Sequence, residues 1–346
     1  MAVQVGVGLF TGQVPPGSDR TFEQEYREIL DLVRLAEALG FDSAWTSEHH
    51  GSGDGYLPSL LVMLGAFAAA TDRIRLGTGV ILTPFHDPLR LAEDAAVVDQ
   101  LSGGRLILGL GLAWREEEFR MFGQPMSERV RRTTEAVEIL RRAWSGRRFS
   151  FDGRIHSYDR VKVTPPPAQE GGVPIFLGGS TETAVRRAGR IADGYIRTRS
   201  SLENSRLALA WAEAGAREAG KDPAGLGFAQ LQSAFVWDDS EEAWKLSIEG
   251  ARHHLGVYAA WDEGDDTPER DTLHPRAPED DAIRHIVFTG TTDEVARRMR
   301  PMVEAFGDRP EFHLIVRLHY PGMPFDVAAR AMELFAEGVL PALKGA

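Results

Sequence analysis

The sequence predicts a (β/α)8 barrel, and three observations carry that expectation. Apolar runs of strand length alternate with amphipathic segments of helix length about eight times along 346 residues. Strands each followed by a helix build parallel βα units. A chain well beyond roughly 250 residues is normal for one barrel with insertions. The doubly wound open sheet is the rival that periodicity alone does not exclude.

Residues 3–10 (VQVGVGLF) have the length of a buried strand and run into a Gly/Pro-rich loop over 12–18. Thr21 and Gln24 stand at capping-box spacing, and Tyr26, Ile29, Leu30, Val33 and Ala36 then recur at helical intervals until Gly40. Residues 41–46 read as the second strand, 60–70 as a buried helix and 74–82 (IRLGTGVIL) as the third strand. A helix over 89–101, a fourth strand over 105–110 and a helix over 128–144 follow. The second half repeats the pattern, with strands at 173–177, 194–196, 226–237 and 312–319. Helices at 181–191, 204–219, 241–255 and 325–340 come after them. We expect one domain over 1–346, interrupted at about 147–172, where three prolines (165–167) break any period and an ordered excursion or hairpin is expected, and at about 256–290. Within the second interruption, residues 262–281 hold nine acidic and two basic side chains. An insertion leaving the C-terminal end of a barrel strand overhangs the active face, so a lid is expected there.

Composition narrows the function classes. Fifty-one acidic against 39 basic residues give a net charge of −12, which argues against nucleic acid and anionic membranes as partners. The absence of cysteine removes disulfides, thiolate metal sites and cysteine nucleophiles. The longest apolar run, 60–70, is short of the roughly 20 residues that span a bilayer. The first basic residue is Arg20, which is unlike a secretory signal. The expectation is a cytoplasmic protein.

Several motifs fail. Gly215 to Lys221 imitates a phosphate loop, but Asp222 stands where Ser or Thr is required. Gly6-x-Gly8 lacks the third glycine of a dinucleotide site. His49-His50 and His253-His254 are adjacent pairs without the spacing of helical zinc ligands, so no metal is expected. Two features survive. Ser47-Glu48-His49-His50 directly follows the second strand, where a barrel collects its catalytic groups, and histidine moves protons near neutrality. Gly178-Gly179-Ser180-Thr181-Glu182-Thr183 lies between a strand and a helix. Its glycines admit a ligand close to the backbone, and the helix N-terminus with the Ser180 and Thr183 hydroxyls suits a phosphate.

At these residues the chain resembles the bacterial luciferase-like flavin monooxygenases. The matching pieces are FDSAWTSEHH, RIRLGTGVILTPFHDPLRLAEDAAVVDQLSGGRLILGLG, WREEEFRMFG and PIFLGGSTETAVRRAGRIADGYI, with the last βα unit over 312–343. The resemblance implies a (β/α)8 barrel that binds reduced FMN or, in one branch, the 8-hydroxy-5-deazaflavin coenzyme. It implies His49 as the catalytic histidine, with Glu48 beside it. Gly79-Val80 matches a cis peptide beneath the flavin ring. Arg129, Ser180 and Thr183 match groups around the flavin phosphate, and Gly178 and Gly179 belong to the same cofactor-binding loop. Leu112 and Gly179 depart from the pattern, because an arginine and a glutamate stand there in the luciferase α-subunit.

The expected activity is therefore a monooxygenase using reduced FMN and dioxygen on a small apolar substrate, an aldehyde or ketone. No nicotinamide motif is present, so a separate flavin reductase is expected as a transient partner, and the chain as a homodimer. The alternatives are a deazaflavin-dependent oxidoreductase that transfers hydride without oxygen, and a non-catalytic flavin-binding or accessory subunit. Substrate-facing groups are expected at 51–56, at 197–201 and on the acidic insertion.

Overall fold

Eight parallel strands close into a ring in chain order in the computed structural model, which describes residues 3–198, 201–262 and 279–345. They are β1 (Gln4–Phe10), β2 (Ser43–Thr46), β3 (Arg75–Thr78), β4 (Leu106–Gly111), β5 (Ile175–Gly178), β6 (Gly194–Arg197), β7 (Gly227–Val236) and β8 (Phe312–Arg317). Val5 of β1 pairs with Leu314 of β8, which shuts the barrel and removes the open-sheet rival. The two short strands Ile81–Leu82 and Phe288–Gly290 pair with β4 and β7.

The period of two in each strand sorts its residues between two cores. On β8, Leu314 and Val316 face the helix layer, while Ile315 joins Leu9, Trp45, Ile107, Phe176 and Leu231 inside the barrel. Trp45 fills the lumen because its neighbours give way. A Cβ on Gly77 would stand 2.2 Å from its ring, and one on Gly6 3.0 Å from its Nε1. Its indole N–H donates to Ser43 Oγ at 2.8 Å. The glycines of β1 that imitate a nucleotide motif thus make room for β2, Gly6 for the Trp45 indole and for Ser43, and Gly8 for the Trp45 backbone.

Outside, α1 (Phe22–Ala38) is capped by Thr21, which accepts from the Gln24 N–H at 3.1 Å. The Gln24 side chain turns instead to Glu28, so only half of the expected capping box forms. α2 (Leu60–Ala70) has the expected bounds, and α3 (Pro88–Ser102) starts on an Asp87 cap. After them come α4 (Glu116–Met121), α5 (Arg129–Ala143), α6 (Glu182–Ile191), α7 (Leu202–Glu218) and α8 (Ser240–Asp262). α9 (Asp280–Ile286), α10 (Thr292–Phe306) and α11 (Phe325–Leu334) complete the set used below.

Three local differences from the sequence reading matter, beside one feature that it expects. The expected third strand breaks at Gly79-Val80, whose peptide is cis as the resemblance implies. The interruption over 147–172 holds an antiparallel hairpin, one of the two forms expected there, Phe149–Asp152 with Ser157–Val161, its turn tied to Glu135 of α5 by the N–H groups of Arg154 and His156. α8 runs seven residues past the expected end at Leu255, so the interruption begins later than expected. α10, opened by a capping box at Thr291 and Glu294, supplies a helix that the sequence reading lacks. The acidic stretch expected to form a lid falls largely outside the described residues. Among the described residues no helix is long and apolar enough to cross a membrane.

Candidate active site

A cavity of about 530 Å³ opens at the C-terminal ends of the strands. Its floor and walls are apolar, built from Leu9, Val80, Leu82, Ile196, Leu231 and Ile315. Polar groups converge on two sides of it.

The first side is the end of β2. His49 lines the cavity, and its Nδ1 lies 2.8 Å from Glu118 Oε1. A carboxylate only accepts, so Nδ1 carries the hydrogen, and Nε2 is left for a ligand. Glu118 comes from α4 and is itself held by the His50 N–H at 3.0 Å and by Arg115 Nη1 at 3.3 Å. Arg115 also donates to the His50 carbonyl and stacks 4.0 Å above Trp261. Rings enclose the imidazole: Trp261 at 4.6 Å, Tyr56 at 4.9 Å and Tyr258 at 5.4 Å, with the two tyrosine hydroxyls 3.0 Å apart.

Glu48 lines the cavity too, but its Oε1 accepts from His50 Nε2 at 2.7 Å and His86 Nε2 at 3.1 Å. Burial pushes its carboxyl up, and the two imidazole hydrogen bonds more than offset that, so it ends below the usual range. His86 moves the other way, because Glu48 outweighs the burial that lowers it. The carboxylate that orients the cavity's imidazole is thus Glu118, and Glu48 serves the neighbouring His50–His86 pair.

The second side is the turn from β5 into α6. Gly178, Gly179, Ser180 and Thr181 line the cavity, with Arg129 of α5 and Arg197 of β6. A Cβ on Gly178 would meet protein atoms only at 3.7 Å or beyond, so the surface there is open to a ligand. Thr181 caps α6, accepting from the Ala184 N–H at 3.3 Å. Thr183 is exposed and does not line the cavity. Neither Arg129 nor Arg197 has a carboxylate partner among the described residues. The same holds for Arg187, whose guanidinium is lowered by burial and by the nearby charges of Arg190 and Arg129. Gly79, Val80 and Leu112 line the cavity as well.

Residues 4–309 match the family described as luciferase-like monooxygenase. The chain belongs to the luciferase-like monooxygenase family. It is an oxidoreductase, as its luciferase-like relatives are. It is 30% identical over 344 residues to an F420-dependent glucose-6-phosphate dehydrogenase of Nakamurella multipartita, covering 92% of each chain. It is 26% identical over 356 residues to the 4-hydroxyprotoasukamycin monooxygenase of Streptomyces nodosus subsp. asukaensis, covering 99% of this chain and 93% of that one. Among solved luciferase-like structures, a monooxygenase of Streptomyces bottropensis superposes with a TM-score of 0.85 at 30% identity, over 98% of this chain and 99% of that one.

The sequence reading names His49, Glu48 and the glycine loop, and these line one cavity. It misses Glu118, which is one of three consecutive glutamates, only one of them fully buried. It also misses Tyr258 and Trp261, since both lie beyond the expected end of α8.

Proposed function

We propose that the chain uses the 8-hydroxy-5-deazaflavin coenzyme F420 to move a hydride to or from a small organic substrate. The observation that carries this reading is the pair Arg129 and Arg197, which line the cavity with the Gly178–Thr181 turn and have no ion pair among the described residues, with the charge of Arg187 near Arg129. In a chain of net charge −12, a local cluster of this kind suits a tail with several negative charges, and F420 carries a phosphodiester followed by carboxylates. The similarity to an F420-dependent dehydrogenase across 92% of both chains favours the same coenzyme.

The residues present fit such a group. Gly178, Gly179, Ser180, Arg129 and Arg197 would hold the phosphate, with Thr181 closer to it than Thr183. Gly79 and Val80, with Leu9, Ile196 and Leu231, would lie against the ring. When bound, the coenzyme supplies a carbon that exchanges hydride. His49 Nε2 gives or takes the proton of the substrate oxygen, and Glu118 fixes the tautomer that does so. The aromatic shell keeps water from that imidazole.

The second reading is the FMN and dioxygen monooxygenase with a separate reductase, favoured by the likeness to the Streptomyces bottropensis monooxygenase. A non-catalytic flavin carrier leaves the oriented His49–Glu118 pair without a task. The proposed setting is the cytoplasm, as a homodimer, which sedimentation tests.

Titration of the purified chain with F420 and with FMN separates the two enzyme readings. F420 is expected to bind more tightly and to lose affinity steeply with salt. Arg129→Ala should weaken it by about 1.5–3 kcal/mol, the scale of a charge-assisted hydrogen bond. Tighter FMN binding, with labelled dioxygen entering the product, would reverse the order of the readings.

A further inference from the structure

Strand β8 carries an inward-facing row whose last member, Arg317, reaches the C-terminal face where chemistry collects. Arg317 is 1% exposed, yet it lines the cavity into which His49 also faces. Its Nε and Nη1 have no hydrogen-bond partner, and no carboxylate pairs with it among the described residues. A buried guanidinium without a counter-charge is costly, so folds retain one where a ligand completes it.

The surroundings offer no substitute. Glu25 is committed to Arg20 at 2.9 Å, and its other oxygen lies 3.7 Å from His319. His319 is pushed down to about 3, chiefly by burial and then by the charges of Arg317 and Arg20, so it adds no charge of its own. Ser233 stands opposite Arg317 in the β7–β8 register and lines the same cavity, which gives that wall a hydroxyl as well as the guanidinium. The walls next to the pair are apolar: Leu231, Ile315 and Leu9. Tyr56 feels the charge of Arg317 and packs against His49, so the anchor and the proton-handling imidazole share a neighbour.

We propose that Arg317, with Ser233, anchors the substrate through a carboxylate or similarly delocalised oxyanion, and that the substrate is an apolar molecule carrying one such group. The proposal rests on the oxidoreductase reading for the chemistry at His49, while the anchor itself is a property of the chain without cofactor. It turns the expected small apolar substrate into an amphipathic, singly charged one.

The test uses the full chain without cofactor and two probes of nearly equal shape, benzoate and benzamide, followed by calorimetric titration and thermal unfolding. Benzoate should bind and raise the unfolding temperature, and benzamide should do neither. Arg317→Met should lower benzoate affinity at least tenfold, while F420 affinity stays within about twofold. Arg317→Lys, which keeps the charge and loses the fork, should retain the preference for benzoate with weaker binding. Ser233→Ala should lose three- to tenfold and serves as the second variant if Arg317→Met does not fold. Equal response to the two probes, no binding of either, or full benzoate affinity in both Arg317→Met and Ser233→Ala would overturn the proposal. Loss of F420 instead of benzoate would also overturn it, by assigning Arg317 to the coenzyme. Because no cofactor is present in the probe titrations, their failure leaves the coenzyme reading untouched, and an FMN preference leaves the anchor untouched.

Discussion

Two buried histidines of this barrel carry the same chemical equipment and sit at opposite ends of it. His49, at the C-terminal end of β2, pairs with Glu118, which Arg115 also holds. His313, near the N-terminal end of β8, pairs with Glu311 at 3.2 Å, which Arg75 holds at 2.7 Å. Each is thus an imidazole, a carboxylate and a guanidinium in sequence. The difference is access. His49 faces a cavity, whereas His313 is 0% exposed between the rings of Trp45 and Phe176. Chemistry follows from which triad a ligand can reach, in keeping with the division of barrels into an active and a stabilising end.

Breaking the upper triad should have the largest effect. His49→Ala is expected to lower turnover by about 10²–10⁴ while leaving coenzyme affinity nearly unchanged. A stopped-flow comparison of binding and turnover checks this, and wild-type turnover in the variant would make His49 a second His313. Glu118→Gln keeps the hydrogen bond but alters the tautomer preference, and should cost about 10- to 100-fold in kcat. Glu48→Gln should cost clearly less, because its partners are His50 and His86; the ratio of the two losses reads out which carboxylate orients the base.

The lower triad should answer in stability alone. His313→Leu is expected to keep kcat within about threefold and to move the melting temperature by about 2–4 °C, as a change of order 1 kcal/mol does in a large domain. Smallest of all in turnover is the effect of Glu311→Gln, at the end of the barrel away from the cavity; at neutral pH it should lower stability, by an amount moderated because Arg75 and Glu311 are about a quarter exposed. Its signature is in acid. Burial raises the Glu311 carboxyl, but the His313 hydrogen bond and the Arg75 charge overcome this and bring it to about 2 from an ordinary 4.5. A carboxyl depressed in the fold stabilises fully above its unfolded value, and that contribution disappears as pH falls from about 4.5 through 2. His313, held below its ordinary value mainly by burial, also disfavours acid, because unfolding frees it to take a proton. Glu311→Gln should flatten the loss of stability below pH about 4.5, as measured by urea midpoints along a pH series.

The sequence made the upper site only partly legible. The strand-then-turn positions of Glu48-His49 and Gly178–Gly179 follow from local pattern, and α2 is bounded as the pattern says. The break at Gly79-Val80 is hidden from the period, because apolar residues continue on both sides of it, and only the resemblance points to the cis peptide there. α8 looks finished at Leu255, since a glycine follows and an acidic stretch lies ahead; packing of Val257, Tyr258 and Trp261 against Tyr56 carries the helix onward. Among Glu116, Glu117 and Glu118, only the tertiary placement of α4 decides which one turns inward. Arg317 has a signal in the sequence: His313, Ile315, Arg317 and His319 alternate with Phe312, Leu314, Val316 and Leu318. A period of two with polar groups on one face of a buried strand points into a lumen.

The glycine bed under Trp45 has a consequence for how the barrel breathes. Its indole N–H is 0% exposed and bonded to Ser43 inside the ring of strands, so solvent deuterium reaches it only when strands part. Trp114, 37% exposed at the mouth, trades its hydrogen without such an event. The Trp45 resonance should therefore exchange at the rate set by the global opening free energy, and ligand that tightens the whole barrel should slow it by the same factor by which it raises that free energy's equilibrium constant. One indole hydrogen then serves as an internal gauge of binding that needs neither turnover nor a chromophore.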